Sequence, residues 1–60
     1  MEDKIIGSHF VNIYQDENGN VVHYANQIYL TIESAQSNAR DRKGWKYLYT
    51  IEINHTIHPL

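Results

Sequence analysis

From Trp45 to Asn54 the chain alternates with a period of two. Trp45, Tyr47, Tyr49, Ile51 and Ile53 take every second position, with Lys46, Leu48, Thr50, Glu52 and Asn54 between them. Successive strand residues point to opposite sides of a sheet, so this period predicts a strand with one buried face. Two further strands are expected upstream. Residues 8 to 15 mix β-branched and aromatic side chains that suit a pleated surface, and Val21 to Leu30 reads as the returning partner. Between them, Asp16-Glu17-Asn18-Gly19-Asn20 contains the Asn-Gly pair of a two-residue type I′ turn, whose two central positions both need positive φ. That turn places Tyr14 opposite His23, Ile13 opposite Tyr24 and Val11 opposite Asn26. One face then carries His9, Val11, Ile13, Val22, Tyr24, Ile28 and Leu30. The other carries Phe10, Asn12, Tyr14, Val21, His23, Ala25, Gln27 and Tyr29.

A helix is predicted over residues 32 to 43. Thr31 supplies a hydroxyl for the free N–H groups of its first turn, and Glu33 sits where the helix dipole favours an anion. Gly44 is placed to end it, with Arg40, Arg42 and Lys43 near the terminal carbonyls. Its apolar stripe is Ile32, Ala35 and Ala39, small enough to lie close to a sheet. A right-handed crossover through this helix brings the last strand beside the first. The expected fold is a small α+β domain of order β-β-α-β: a three-stranded antiparallel sheet in the order 2-1-3, with one helix on one face. The helix is assigned to the face of Val11, Ile13, Val22, Tyr24 and the odd-numbered residues of the last strand. The core spans residues 8–54, with 1–7 and 55–60 as termini.

Composition narrows the function. A chain of 60 residues buries only about 60% of the surface it exposes when unfolded. It contains no cysteine, so neither a disulfide nor a thiolate-bound zinc can support so small a core, and oligomerisation is the remaining support. Few chains of this size enclose a pocket of roughly 300–1,000 Å³, and an enzyme is not expected. The net charge of −2 argues against a dedicated nucleic-acid binder, although Arg40, Arg42, Lys43 and Lys46 form a local basic patch. The acidic start Met1-Glu2-Asp3 and the lack of a long apolar run predict a cytoplasmic protein without a membrane span.

Candidate chemistry is sparse. His55 and His58 have no third ligand nearby in sequence and read as an exposed tail, so no metal or other cofactor is expected. His23 with Tyr14 and Glu52 reads as an ordinary cross-strand cluster rather than an acid-base site. The feature with functional content is the face opposite the predicted helix, which would expose Phe10, Tyr14, His23, Tyr29 and Leu48. Aromatic patches of that kind mark interaction surfaces, here expected to serve a homodimer. An alternative use is stacking of RNA bases on Phe10, Tyr14 and Tyr29 beside the basic patch.

Two resemblances follow from these segments. Residues 10 to 39, with their Asn-Gly hairpin leading to Thr31-Ile-Glu-Ser-Ala35, resemble the start of HicB-type antitoxins, but the Pro-Asp-Leu-Pro-Gly-Cys stretch of that family is absent. Residues 8 to 53, where Tyr29-Leu-Thr-Ile-Glu-Ser-Ala35 leads through a short helix to a Trp/Tyr-rich closing strand, resemble small phage-encoded anti-defence proteins such as anti-Hachiman and anti-CRISPR proteins. That likeness implies a homodimeric, stoichiometric inhibitor of a bacterial host defence protein.

Overall fold

A computed structural model describes residues 4–59. It contains β1 (Lys4–Asp16), β2 (Val21–Val22), α1 (Ile32–Ser37) and β3 (Trp45–Ile57). The strands form one antiparallel sheet in the order β2-β1-β3, and the helix packs on one face of β1 and β3. This is the α+β architecture expected. Both long strands reach beyond their expected ends, so residues 4–7 and 55–57 are strand rather than terminal tail.

The first hairpin is built on one glycine rather than on a pair of positive-φ residues. Gly19 has φ of 84°, whereas no described non-glycine residue has a positive φ, so Asn18 cannot serve a type I′ turn. The loop is three residues long: Gly19 N–H donates to Asp16 O at 3.1 Å and Asp16 N–H to Asn20 O at 2.9 Å. A type I turn closed by a left-handed glycine has this form. The Asp16 carboxylate holds it by accepting from the N–H groups of Asn18 and Asn20, each at 2.9 Å. The longer loop slips the pairing by one, so Tyr14 opposes Val22 rather than His23.

After Val22 the second strand leaves the sheet. Gln27 N–H donates to Tyr24 O at 3.3 Å, and the chain rejoins β1 at Tyr29, which exchanges two backbone bonds with Phe10 at 2.7 and 2.9 Å. The detour drops Tyr24 onto Tyr14 and Trp45. The expected ten-residue strand is therefore a two-residue strand and one bridge.

The helix is also shorter than expected. Thr31 Oγ1 accepts from Ser34 N–H at 3.1 Å, the cap the sequence suggests. At the other end the Ser37 hydroxyl and the Asn38 amide both donate to Ser34 O, at 3.1 and 2.8 Å. Such side chains compete with the backbone for the carbonyls that another turn would use, and the helix ends at Ser37. Gly44 does not cap it. With φ of 80° it serves a tight turn in which Arg42 and Trp45 exchange two backbone bonds of 2.8 Å.

A bulge in β3 decides the faces. Ile13 opposes Tyr49 and Tyr14 opposes Tyr47, leaving Leu48 as the extra residue. Trp45 and Tyr47 consequently share the side of Tyr14, whereas Tyr49, Ile51 and Ile53 share the side of Ile13, Val11 and His9. The odd-numbered residues of β3, expected on one face, are divided between two. Asn12 locates the helix: its Nδ2 donates to Ala35 O at 2.8 Å, so α1 lies over Phe10, Asn12 and Tyr14. The helix thus covers the face opposite to the one assigned from sequence. Val11 to Tyr14 are all buried, and Ala35 completes the interior. Tyr14, fully buried, is ringed by Tyr24, Trp45 and Tyr47 with centroids 5.6, 5.9 and 5.9 Å away.

Candidate functional site

The strand pairings place the residues once expected on an exposed aromatic face as follows. Tyr14 is 0% exposed and available to no partner. Phe10 and Tyr29 are half-buried and bonded to one another across the sheet edge. Leu48 is half-buried at the bulge. His23 is exposed in the loop after β2, with its ring Nδ1 near Tyr24 O at 3.3 Å. These five residues do not form one open surface. The reason is the pair of irregularities described above: the three-residue hairpin loop and the Leu48 bulge exchange the covered and open sides.

The open surface is the other one. Tyr49, Ile51, Ile53 and Ile57 line it along β3, and all four are exposed. Across β1, Val21, Ile28 and Leu30 are also exposed, Leu30 to 80%. The helix lies on the opposite side, over Asn12, and on this side the central Val11 and Ile13 are themselves buried, so the exposed residues are those of β3 and of the segment around β2. The molecule is elongated, 45 × 25 × 16 Å, because β1 and β3 run on past the helix as a two-stranded ribbon of residues 4–9 and 53–57. Isolated two-stranded ribbons are marginal in water. An uncovered ribbon bearing Ile5, Ile6, Ile53 and Ile57, each exposed, is the least supported part of the fold. The alternation of β3 predicted one buried face along its whole length, whereas Trp45 and Tyr47 are half-buried and Tyr49, Ile51 and Ile53 are exposed. What sequence reasoning missed was which half of the strand it concerned.

The basic residues divide in the same way. Arg40, Lys43 and Lys46 are exposed. Arg42 is half-buried, with its guanidinium carbon 5.2 Å from the centre of the Tyr24 ring. The nearby Tyr14 hydroxyl raises the guanidinium pKa above its ordinary value, yet Tyr14 Oη and Arg42 Nε do not meet in hydrogen-bond geometry. Arg42 is thus a lid on the aromatic cluster. With Tyr14 buried as well, the arrangement for stacking RNA bases loses one of its three rings and one of its four cations.

Asp16 has its pKa lowered, first by the backbone N–H of Asn20 and also by that of Asn18. Asp16, Glu17, Asn18, Lys43, Gly44 and Trp45 line a shallow cleft of about 350 Å³ where the two turns meet. His55 lies in β3 rather than in a tail, and its Nε2 meets His9 Nδ1 at 2.5 Å across the ribbon. Among the described residues no three His, Cys, Asp or Glu side chains gather as metal ligands, and no helix is long and apolar enough to cross a membrane.

The most exposed apolar feature of the described residues is therefore the β3 half of a sheet face, beside a long strand edge. Comparison with protein-family models, with curated proteins and with solved structures finds no match for this chain.

Proposed function

We propose that this chain is a non-enzymatic interaction module that works as a homodimer, in the manner of a stoichiometric inhibitor of a bacterial host defence protein. The observation that carries the interaction reading is the open face of Tyr49, Ile51, Ile53 and Ile57. Exposed apolar residues gathered along one strand mark a place where another molecule sits. The dimer is supported by the small core and by the unsupported ribbon, since a second copy adds burial that a chain without cysteine cannot replace with a disulfide. The inhibitor reading is supported by the resemblance to small phage-encoded anti-defence proteins.

Light scattering on the size-exclusion peak tests the dimer, with about twice 7.1 kDa expected. Expression in bacteria that carry individual defence systems, scored by phage plaque formation, tests the inhibitor. Restored plaques against one system name the target. Failure across a broad panel rejects inhibition, whereas a monomeric mass at all concentrations rejects the dimer.

A further inference from the structure

In an antiparallel sheet each residue directs both its N–H and its C=O to one neighbouring strand, and the next residue directs them to the other. Phe10 exchanges both groups with Tyr29, and Asp16 N–H goes to Asn20. Even-numbered positions of β1 therefore serve the β2 side, and His9, Val11 and Ile13 serve β3. Their partners Ile53, Ile51 and Tyr49 point inward. Thr50, Glu52 and Asn54 aim their backbone groups away from β1, at the outer edge of the sheet.

That edge is closed at one end only. Trp45 exchanges two bonds with Arg42, and Tyr47 N–H donates to Asp41 Oδ1 at 2.8 Å. From Tyr49 to Ile57 no segment among the described residues pairs with it, and residues 51–57 are all exposed. Of the usual protections of an edge, these nine positions hold neither proline nor lysine; their one carboxylate is Glu52, and the register shift in this stretch places its extra residue, Ile6, in β1 rather than in β3.

The side chains along the edge choose the occupant and the register. A twofold centred on Glu52 would oppose two carboxylates, which is unfavourable. One centred on Ile51 would run the incoming strand into Asp41 and Arg42. One centred on Ile53 uses only the open residues. It sets Ile53 against its twin, Glu52 against Asn54, Thr50 against Thr56, Ile51 against His55 and Tyr49 against Ile57. The Thr–Thr and aromatic–aliphatic pairs are favourable cross-strand neighbours. We infer that a second copy of this chain adds along the edge of β3, antiparallel and centred on Ile53, joining two three-stranded sheets into one of six. This rests on the dimeric reading above and adds its geometry. It also sets the apolar residues of both β3 strands side by side, making one composite surface for a further protein.

The chain has no cysteine, so a single introduced thiol reports the register without background. Ile53 is hydrogen-bonded inward and would form a non-hydrogen-bonded pair with its twin, at a Cα separation of about 4.5 Å that a disulfide can span. Under mild oxidation Ile53→Cys should give a covalent dimer, and Ile51→Cys should not. Glu52→Pro removes an outward N–H while leaving the β1–β3 bonds, so its circular dichroism should match the parent while its dimer Kd rises roughly tenfold or more. Preferential crosslinking of Ile51→Cys overturns the register. A dimer that neither cysteine crosslinks and Glu52→Pro does not weaken overturns the edge but keeps the dimer. A parent chain that is monomeric throughout overturns both.

Discussion

Asn12 is the buried polar residue at the middle of the central strand, and replacing it tests how the helix is held. Its Nδ2 donates to Ala35 O at 2.8 Å, and its Oδ1 accepts from the Thr50 hydroxyl at 2.6 Å. Asn12→Ala removes both bonds at a net cost of about 1 kcal/mol each. The vacated amide volume adds up to roughly 1 kcal/mol, according to how far the helix settles. Nothing is orphaned, because Ala35 O keeps the Asn38 N–H at 3.1 Å and Thr50 keeps the Tyr47 hydroxyl at 2.8 Å. The expected loss is therefore about 2–3 kcal/mol, a large share of the ~5–15 kcal/mol by which folded domains are stable. Asn12→Asp should cost more at neutral pH, since it turns the donor facing Ala35 O into a buried anion. Burial raises the pKa of that carboxyl in the folded chain. Its deficit against the parent should be smallest below the unfolded value of about 3.9 and grow as pH rises through the folded one. Urea unfolding at one fixed protein concentration, followed by Trp45 fluorescence and circular dichroism, measures both variants. If both lie within about 0.5 kcal/mol of the parent at neutral pH, the Asn12 bridge does not hold the helix.

Tyr14→Phe should change stability by less than about 0.5 kcal/mol, because the hydroxyl is buried without a hydrogen bond, whereas Tyr14→Ala should cost about 3–5 kcal/mol by emptying the ring cluster. The same urea titration separates the two, and a large penalty for Tyr14→Phe would show that the hydroxyl has a partner. Asp16 stabilises the first hairpin as an anion with a lowered pKa; its contribution is complete above the unfolded value of 3.8 and is lost as pH falls through the lower folded value. Asp16→Asn should therefore flatten the acid side of the stability profile, and an unchanged profile would contradict this. Gly44→Ala should destabilise by about 1–2 kcal/mol, since φ is 80° and the new Cβ would stand 3.1 Å from Glu17 Oε1. Gly7→Ala, whose Cβ would meet His55 Nδ1 at 3.6 Å, should be close to neutral in the same urea titration.

The parts legible in the sequence were those set by local chemistry of long reach. Ten residues of regular alternation predicted β3, the Thr31 cap marked the start of α1, and the crossover rule set the strand order. The illegible parts each turned on one or two residues. Whether Gly19 closes a two- or three-residue loop depends on the Asp16 carboxylate finding the N–H groups of Asn18 and Asn20, and composition does not decide between them. Where α1 ends depends on Ser37 and Asn38 turning back to Ser34 O. Leu48 is apolar at a position where the alternation asks for polarity, and that one irregularity was the available sign of a bulge. Because side chains alternate strictly, each one-residue error exchanged the covered and open faces. The surface residues were consequently misplaced although the fold was not.

The Leu48 bulge also explains why one strand can serve two tasks. Without it, Trp45, Tyr47, Tyr49, Ile51 and Ile53 would share a face, and a helix of less than two turns could not cover them. With it, the two large aromatics at the start of β3 join Tyr14 and Tyr24 beneath Arg42, where ring-to-ring contact supplies the burial that Ala35 cannot. The aliphatic half is released to the other side of the sheet and to an edge that Asp41 and Arg42 close only as far as Tyr47. The aromatic half thus completes the chain's own core, while the aliphatic half has both a free face and free backbone groups. A partner that supplies only an apolar surface would leave those backbone groups to water, and one that supplies only a strand would leave the face open. A second copy along the edge meets the first need and doubles the face available for the second, which is why dimer formation and binding of a further protein are expected to be linked rather than competing uses of β3.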